Sequence, residues 1–69
     1  MQISARNQLR GTVKSVTLGA VMAEVVLALP DGQEIVSAIT RASAEGMHLK
    51  TGDQVMAIIK STEVIVGKE

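Results

Sequence analysis

The stretch Val21–Thr40, VMAEVVLALPDGQEIVSAIT, decides the fold. Val21, Ala23, Val25, Leu27 and Leu29 alternate with Met22, Glu24, Val26 and Ala28. Pro30-Asp31-Gly32 then interrupts, and Gln33–Thr40 resumes the alternation with Ile35, Ser37 and Ile39 on one side. A period of two places the two sets of side chains on opposite faces of a strand, and a Pro-Asp-Gly cluster between two such runs reverses the chain. The segment is expected to be a β-hairpin.

Upstream of the hairpin, Ile3–Thr17 is expected to be extended, with Leu9, Gly11 and Val13 on one face and Arg10, Thr12 and Lys14 on the other, ending at Gly19. Downstream, Ala42, Ser43, Ala44 and Glu45 suit one short helical turn within Arg41–His48, with Thr40 able to cap it and Gly46 to end it. Leu49–Asp53 is a second turn cluster, followed by a fourth strand over Gln54–Lys60 and a fifth over Glu63–Val66. The expected fold is all-β: a small five-stranded, partly open OB-like barrel with one short helical turn. Residues 1–69 are expected to form a single domain.

A chain of 69 residues buries little surface, and domains of this size usually draw on disulfides, a structural metal, unusually good helix packing or a partner subunit. It has no Cys and a single His, His48, so neither disulfides nor a structural zinc site can supply that help. Self-association remains. Val25-Val26, Ile58-Ile59 and Val64-Ile65-Val66 point the same way, since they put apolar side chains on both faces of their strands.

Hydrophobic residues make up 46 % of the chain without one Phe, Tyr or Trp, and seven Lys and Arg balance seven Asp and Glu. With neither a basic excess nor aromatic stacking platforms, a nucleic-acid partner is not expected. No 18-residue apolar run and no leader pattern occurs, so no membrane partner is expected and the chain reads as cytoplasmic. No Ser-His-Asp arrangement or carboxylate pair offers a nucleophile and base, so the chain reads as a non-enzyme.

What remains is a set of donors. In an extended segment Ser4 and Arg6 share a side, a hydroxyl beside a five-donor guanidinium. Near the other end Lys60 interrupts the apolar stripe of Met56 and Ile58, with Ser61 and Thr62 adding hydroxyls. If the first strand of one subunit reaches the end of the fourth strand in another, Ser4, Arg6, Lys60 and Ser61 form a pocket suited to a tetrahedral dianion. On spacing alone, Arg6 as an ordinary solvated arginine and Lys60 as a charge that blunts a strand edge stand beside that reading.

Ile3-Ser4-Ala5-Arg6-Asn7-Gln8-Leu9-Arg10-Gly11, with Leu49-Lys50-Thr51-Gly52-Asp53 and Ala57-Ile58-Ile59-Lys60-Ser61-Thr62, closely resembles the molbindins, the small Mop proteins of the molybdate-binding TOBE class. The resemblance implies an OB-like subunit assembled as a hexamer, a trimer of dimers, holding molybdate or tungstate between subunits. It places the anion ligands at Ser4, Arg6, Lys60 and Ser61 and adds Thr40 at the end of the third strand. Molybdenum would be bound only as its oxyanion, without a separate metal site or organic cofactor. The implied role is intracellular storage or buffering, with a sensor or adaptor module acting on a partner protein as the alternative.

Overall fold

The computed structural model describes residues 1–69. Four strands form one antiparallel sheet in the order β3-β2-β1-β4: β1 is Asn7–Leu18, β2 Met22–Ala28, β3 Glu34–Thr40 and β4 Gln54–Ile59. The helix α1, Arg41–Gly46, joins β3 to the Leu49–Asp53 turn, and a single 3₁₀ turn at Ser61–Glu63 follows β4. The sheet curls into a half-barrel. Its concave face carries the core of Val13, Val25, Leu27 and Ala57, against which Val16, Ile35, Ile39, Leu49 and Val55 pack.

The hairpin forms where its sequence places it, with Leu27 opposite Ile35, Val25 opposite Ser37 and Ala23 opposite Ile39. Asp31 closes the turn by accepting from the Gln33 N–H at 3.0 Å, and Gly32 takes φ +90, which a residue without a Cβ adopts at little cost. Thr40 caps α1 by accepting from the Ser43 N–H at 3.0 Å. Ala44, buried under the helix, is its contribution to the interior.

β1 departs from simple alternation. Val13 pairs with Leu27, but Ser15 pairs with Val26, so Lys14 is the extra residue of a β-bulge. The bulge moves the core-facing set from Gly11 and Val13 to Val16, which lies opposite Val25. The Leu49–Asp53 turn is tied to this bulge. Gly52 donates to the Val13 carbonyl at 2.8 Å, Val13 donates to the Asp53 carbonyl at 2.9 Å, and the Thr51 hydroxyl donates to the Lys14 carbonyl at 3.3 Å.

Two expectations are corrected. The first strand starts at Asn7 rather than Ile3, because Asn7 opposite Ile59 is the last pair of the β1–β4 ladder and the chain bends at Ser4 beyond it. The Gln8 side chain holds that approach by donating to the Ala5 carbonyl at 2.7 Å. The fifth strand is absent. After β4 the backbone tightens, with Glu63 donating to the Lys60 carbonyl at 2.9 Å, and Val64–Val66 then runs without a strand to pair with.

The interior is thin. Only 7 of 69 residues are buried, three of them alanines, while Val36, Ile65 and Val66 are 62 %, 95 % and 88 % exposed. β3 and β4 each leave one edge unpaired. No helix is long and apolar enough to cross a membrane.

Candidate functional site

The β1–β4 ladder runs Gln8 opposite Ile58 and Asn7 opposite Ile59, so the residues just beyond its last rung are Arg6 and Lys60. The sequence expectation brought these two together from different subunits; here one chain places them at the same end of its own sheet. Ser4 lies at the bend two residues before Arg6, and Ser61 opens the 3₁₀ turn directly after Lys60. All four are exposed. The end of the sheet thus gathers two hydroxyls, a guanidinium and an ammonium on two adjoining backbone segments.

These cations are uncompensated. The three ion pairs of the chain are Lys14–Glu34, Arg41–Glu45 and Lys50–Asp53, and neither Arg6 nor Lys60 takes part in any. The carboxylate nearest to Lys60 in sequence, Glu63, forms no ion pair either. Donors left without acceptors in close array are suited to an anion that accepts several charge-assisted hydrogen bonds.

Thr40 lies elsewhere. It pairs with Met22, next to the Ala23–Leu18 rung, at the far end of β1 from Asn7. The 12 residues of β1 separate the two ends, about 36 Å along a strand at 3.3 Å per residue. Thr40 is therefore not gathered with Arg6 and Lys60 within one chain. Its surroundings are built tightly. Arg41 donates its N–H to the Val21 carbonyl at 2.7 Å and Nη1 to the Gly19 carbonyl at 3.2 Å, fastening the start of α1 to the β1–β2 turn. Gly19 is needed there, since a Cβ would sit 2.9 Å from the Met22 carbonyl oxygen.

Sequence reasoning missed Ser43. Its Oγ lies 2.8 Å from Thr40 Oγ1, so the Thr40 end carries a hydroxyl pair, not a single hydroxyl. The signal was the Thr-x-x-Ser spacing at a helix start, which brings the side chains of the cap and the third helical residue together.

Other features fall outside the site. The concave face holds an apolar hollow of about 140 Å³ lined by core residues including Val13, Leu27, Ile39 and Val55. Asp31 and Asp53 have carboxyls held below their ordinary range, Asp31 by hydrogen bonds from Gln33 and Asp53 by hydrogen bonds from Lys50, and both belong to turns. No cluster of three or more His, Cys, Asp or Glu residues able to hold a metal ion occurs.

Known proteins share this architecture. A family model for the TOBE domain matches residues 3–66. The chain is 47 % identical over 66 residues to molybdenum-pterin-binding protein 3 of Clostridium pasteurianum, covering 96 % of this chain and 97 % of that one. Its fold matches the high-resolution structure of a molybdate-binding protein from Sporomusa ovata with a TM-score of 0.92 at 46 % identity, covering 99 % of this chain and 100 % of the other. It also matches the cytoplasmic molybdate-binding protein ModG, in a form with molybdate bound, with a TM-score of 0.85 at 41 % identity over 88 % of this chain and 43 % of that one. These relatives share the OB-like half-barrel, and they are binding proteins. Matched from Ile3 to Val66 by the family model and end to end by a solved relative of the same fold, the chain belongs to the TOBE domain family.

Proposed function

We propose that residues 1–69 act as one unit that binds molybdate, or tungstate, between copies of itself and so stores or buffers the anion in the cytoplasm. The observation that carries this reading is the uncompensated pair Arg6 and Lys60 at one end of the sheet, with hydroxyls at Ser4 and Ser61 beside them and Thr40 at the opposite end. A second copy that brings its Thr40 to the Arg6–Lys60 end of the first completes the donor set. The relatives described as molybdate-binding support the choice of anion.

Assembly has its own support. The apolar Val64–Val66 segment lies unpaired, two sheet edges are open and the interior is thin. A second copy that pairs with the segment and covers the apolar outer face supplies the burial a single chain lacks. A hexamer built as a trimer of dimers is the proposed form. One relative is named for a molybdenum pterin, but this chain has no Phe, Tyr or Trp on which a pterin ring could stack. The proposed ligand is the inorganic oxyanion without an organic cofactor, and the role is non-catalytic.

The reading is tested by calorimetric titration with molybdate of Arg6→Ala, Thr40→Val and the two variants unfolded and reassembled together. Each variant alone binds more weakly than wild type at every site, Arg6→Ala by the wider margin. The mixture regains a fraction of tight sites, those that draw Arg6 from one copy and Thr40 from another. A mixture with no tight sites contradicts a site shared between copies.

A further inference from the structure

We infer that Gln8 is a positioning residue for the proposed anion site: its side-chain amide holds the Ser4–Arg6 segment in place before any anion arrives, and so sets the affinity without touching the ligand. The inference rests on the proposal that Ser4 and Arg6 bind the anion, and it names what keeps them where they are.

The two halves of the Arg6–Lys60 end are held in different ways. Lys60 and Ser61 belong to a main-chain turn, in which Glu63 donates to the Lys60 carbonyl at 2.9 Å and Val64 to the Ser61 carbonyl at 3.3 Å. Residues 1–6 lie outside every helix and strand, and none of the main-chain hydrogen bonds of the turns and loops reaches them. No ion pair does either. Packing adds little, since Met1–Ser4 and Arg6 are exposed and only Ala5 is half-buried. The one hydrogen bond that ties this segment down runs from Gln8 Nε2 to the Ala5 carbonyl at 2.7 Å.

A carbonyl oxygen only accepts, so the Gln8 amide must turn its nitrogen toward Ala5. Ala5 and Arg6 share one planar trans peptide, in which the carbonyl and the N–H point opposite ways. Fixing the Ala5 carbonyl therefore fixes the plane from which the Arg6 side chain departs, and Ser4 is the next residue out. Gln8 is itself well placed to do this. It stands opposite Ile58 in the β1–β4 ladder, so its donor rides on the same pair of strands that carries Lys60 at its end. Without the tether the segment samples other backbone conformations, and ordering it again is a cost that opposes binding. The apparent affinity then falls by the fraction of copies in which the segment is already in place.

Gln8→Met and Gln8→Leu remove the N–H donor and keep a side chain of similar bulk, and two measurements are made on each. Calorimetric titration with molybdate is expected to show an affinity lower by about 2- to 10-fold, the scale of one neutral hydrogen bond, with the melting temperature of the free protein unchanged. Trypsin, which cuts after Arg and Lys, reads the segment directly, with the cuts identified by mass. In the absence of molybdate, cleavage after Arg6 is expected to quicken in both variants relative to cleavage after Lys60, whose turn Gln8 does not hold. Saturating molybdate is expected to slow the Arg6 cut again. A general loosening of the sheet moves both cuts together and lowers the melting temperature. Equal acceleration at Arg6 and Lys60, an unchanged cut after Arg6, or wild-type affinity in both variants overturns the inference. Wild type that ignores molybdate, or Arg6→Ala that binds it normally, overturns the proposed site instead, and the cut after Arg6 in the free protein still reports the tether.

Discussion

Two turn regions of this chain carry cations, and they use them in opposite ways. At Leu49–Asp53 the charge is consumed internally: Lys50 gives both its N–H and its ammonium to the Asp53 carboxylate, at 3.0 Å each, and the turn is tied to the bulge in β1. At the Arg6–Lys60 end two cations on adjoining segments have no carboxylate between them. Both regions are rich in hydrogen-bonding groups and exposed, so exposure does not separate them. Satisfaction does. A cation that already has its acceptor serves the fold, and one left without an acceptor beside another is available to a ligand.

The largest expected effect separates the two regions by affinity. Arg6→Ala or Lys60→Ala should weaken molybdate binding by about 2 to 5 kcal/mol, the range for removing one member of a hydrogen-bonded charge set, with the melting temperature of the free protein little changed. Lys50→Ala should leave affinity as it is. Calorimetry on the three variants checks both halves of the contrast, and equal losses from Lys50 and Arg6 would erase it.

The turn should respond in stability instead. Gly52 sits at φ +97, where an L side chain is strained by about 1 to 3 kcal/mol. Gly52→Ala is therefore expected to lower the denaturation midpoint while molybdate, added at saturation, still binds with full stoichiometry. A smaller effect is expected at the far end of the sheet. Thr40→Val removes one donor to the anion and should weaken binding by about 0.5 to 1.5 kcal/mol, the net worth of a typical hydrogen bond.

The smallest effect lies on the acid side. Hydrogen bonds from Lys50 hold the Asp53 carboxyl below its ordinary value of 3.8. A lowered folded-state pKa contributes stability above the unfolded value, and that stability is lost as pH falls through the folded one. Asp53→Asn should flatten the pH dependence of unfolding below about pH 4, near the ordinary carboxylate value, and leave it unaltered at neutrality. Parallel curves for variant and wild type through the acid range would remove Asp53 from the account.

The sequence made the hairpin legible because Val21–Thr40 combines strict alternation with a turn whose residues have one use. It also showed the cap, since Thr40 precedes a helix-compatible run. The bulge was visible but unread: apolar residues stand at Leu9, Gly11 and Val13, then at Val16 and Leu18, a one-residue slip of phase that an extra residue at Lys14 explains. The fifth strand misled because Val64-Ile65-Val66 has strand composition, whereas pairing depends on a neighbour that this chain does not place beside it. The proposed site was readable as residue types, and the placement of those residues at two ends of the sheet was not. Which donors share an end of the sheet follows from the register of β1 against β4 and of β2 against β3, long-range pairings that no local pattern encodes.

The central claim is that opposite ends of the sheet meet between copies to hold an oxyanion, and native mass spectrometry with and without molybdate tests it most directly. The account predicts a homo-oligomer of hexameric mass that gains molybdate in whole-number steps, with none retained on monomer released from it. A folded monomer as the sole species, or a monomer that carries molybdate as tightly as any assembly, would contradict it.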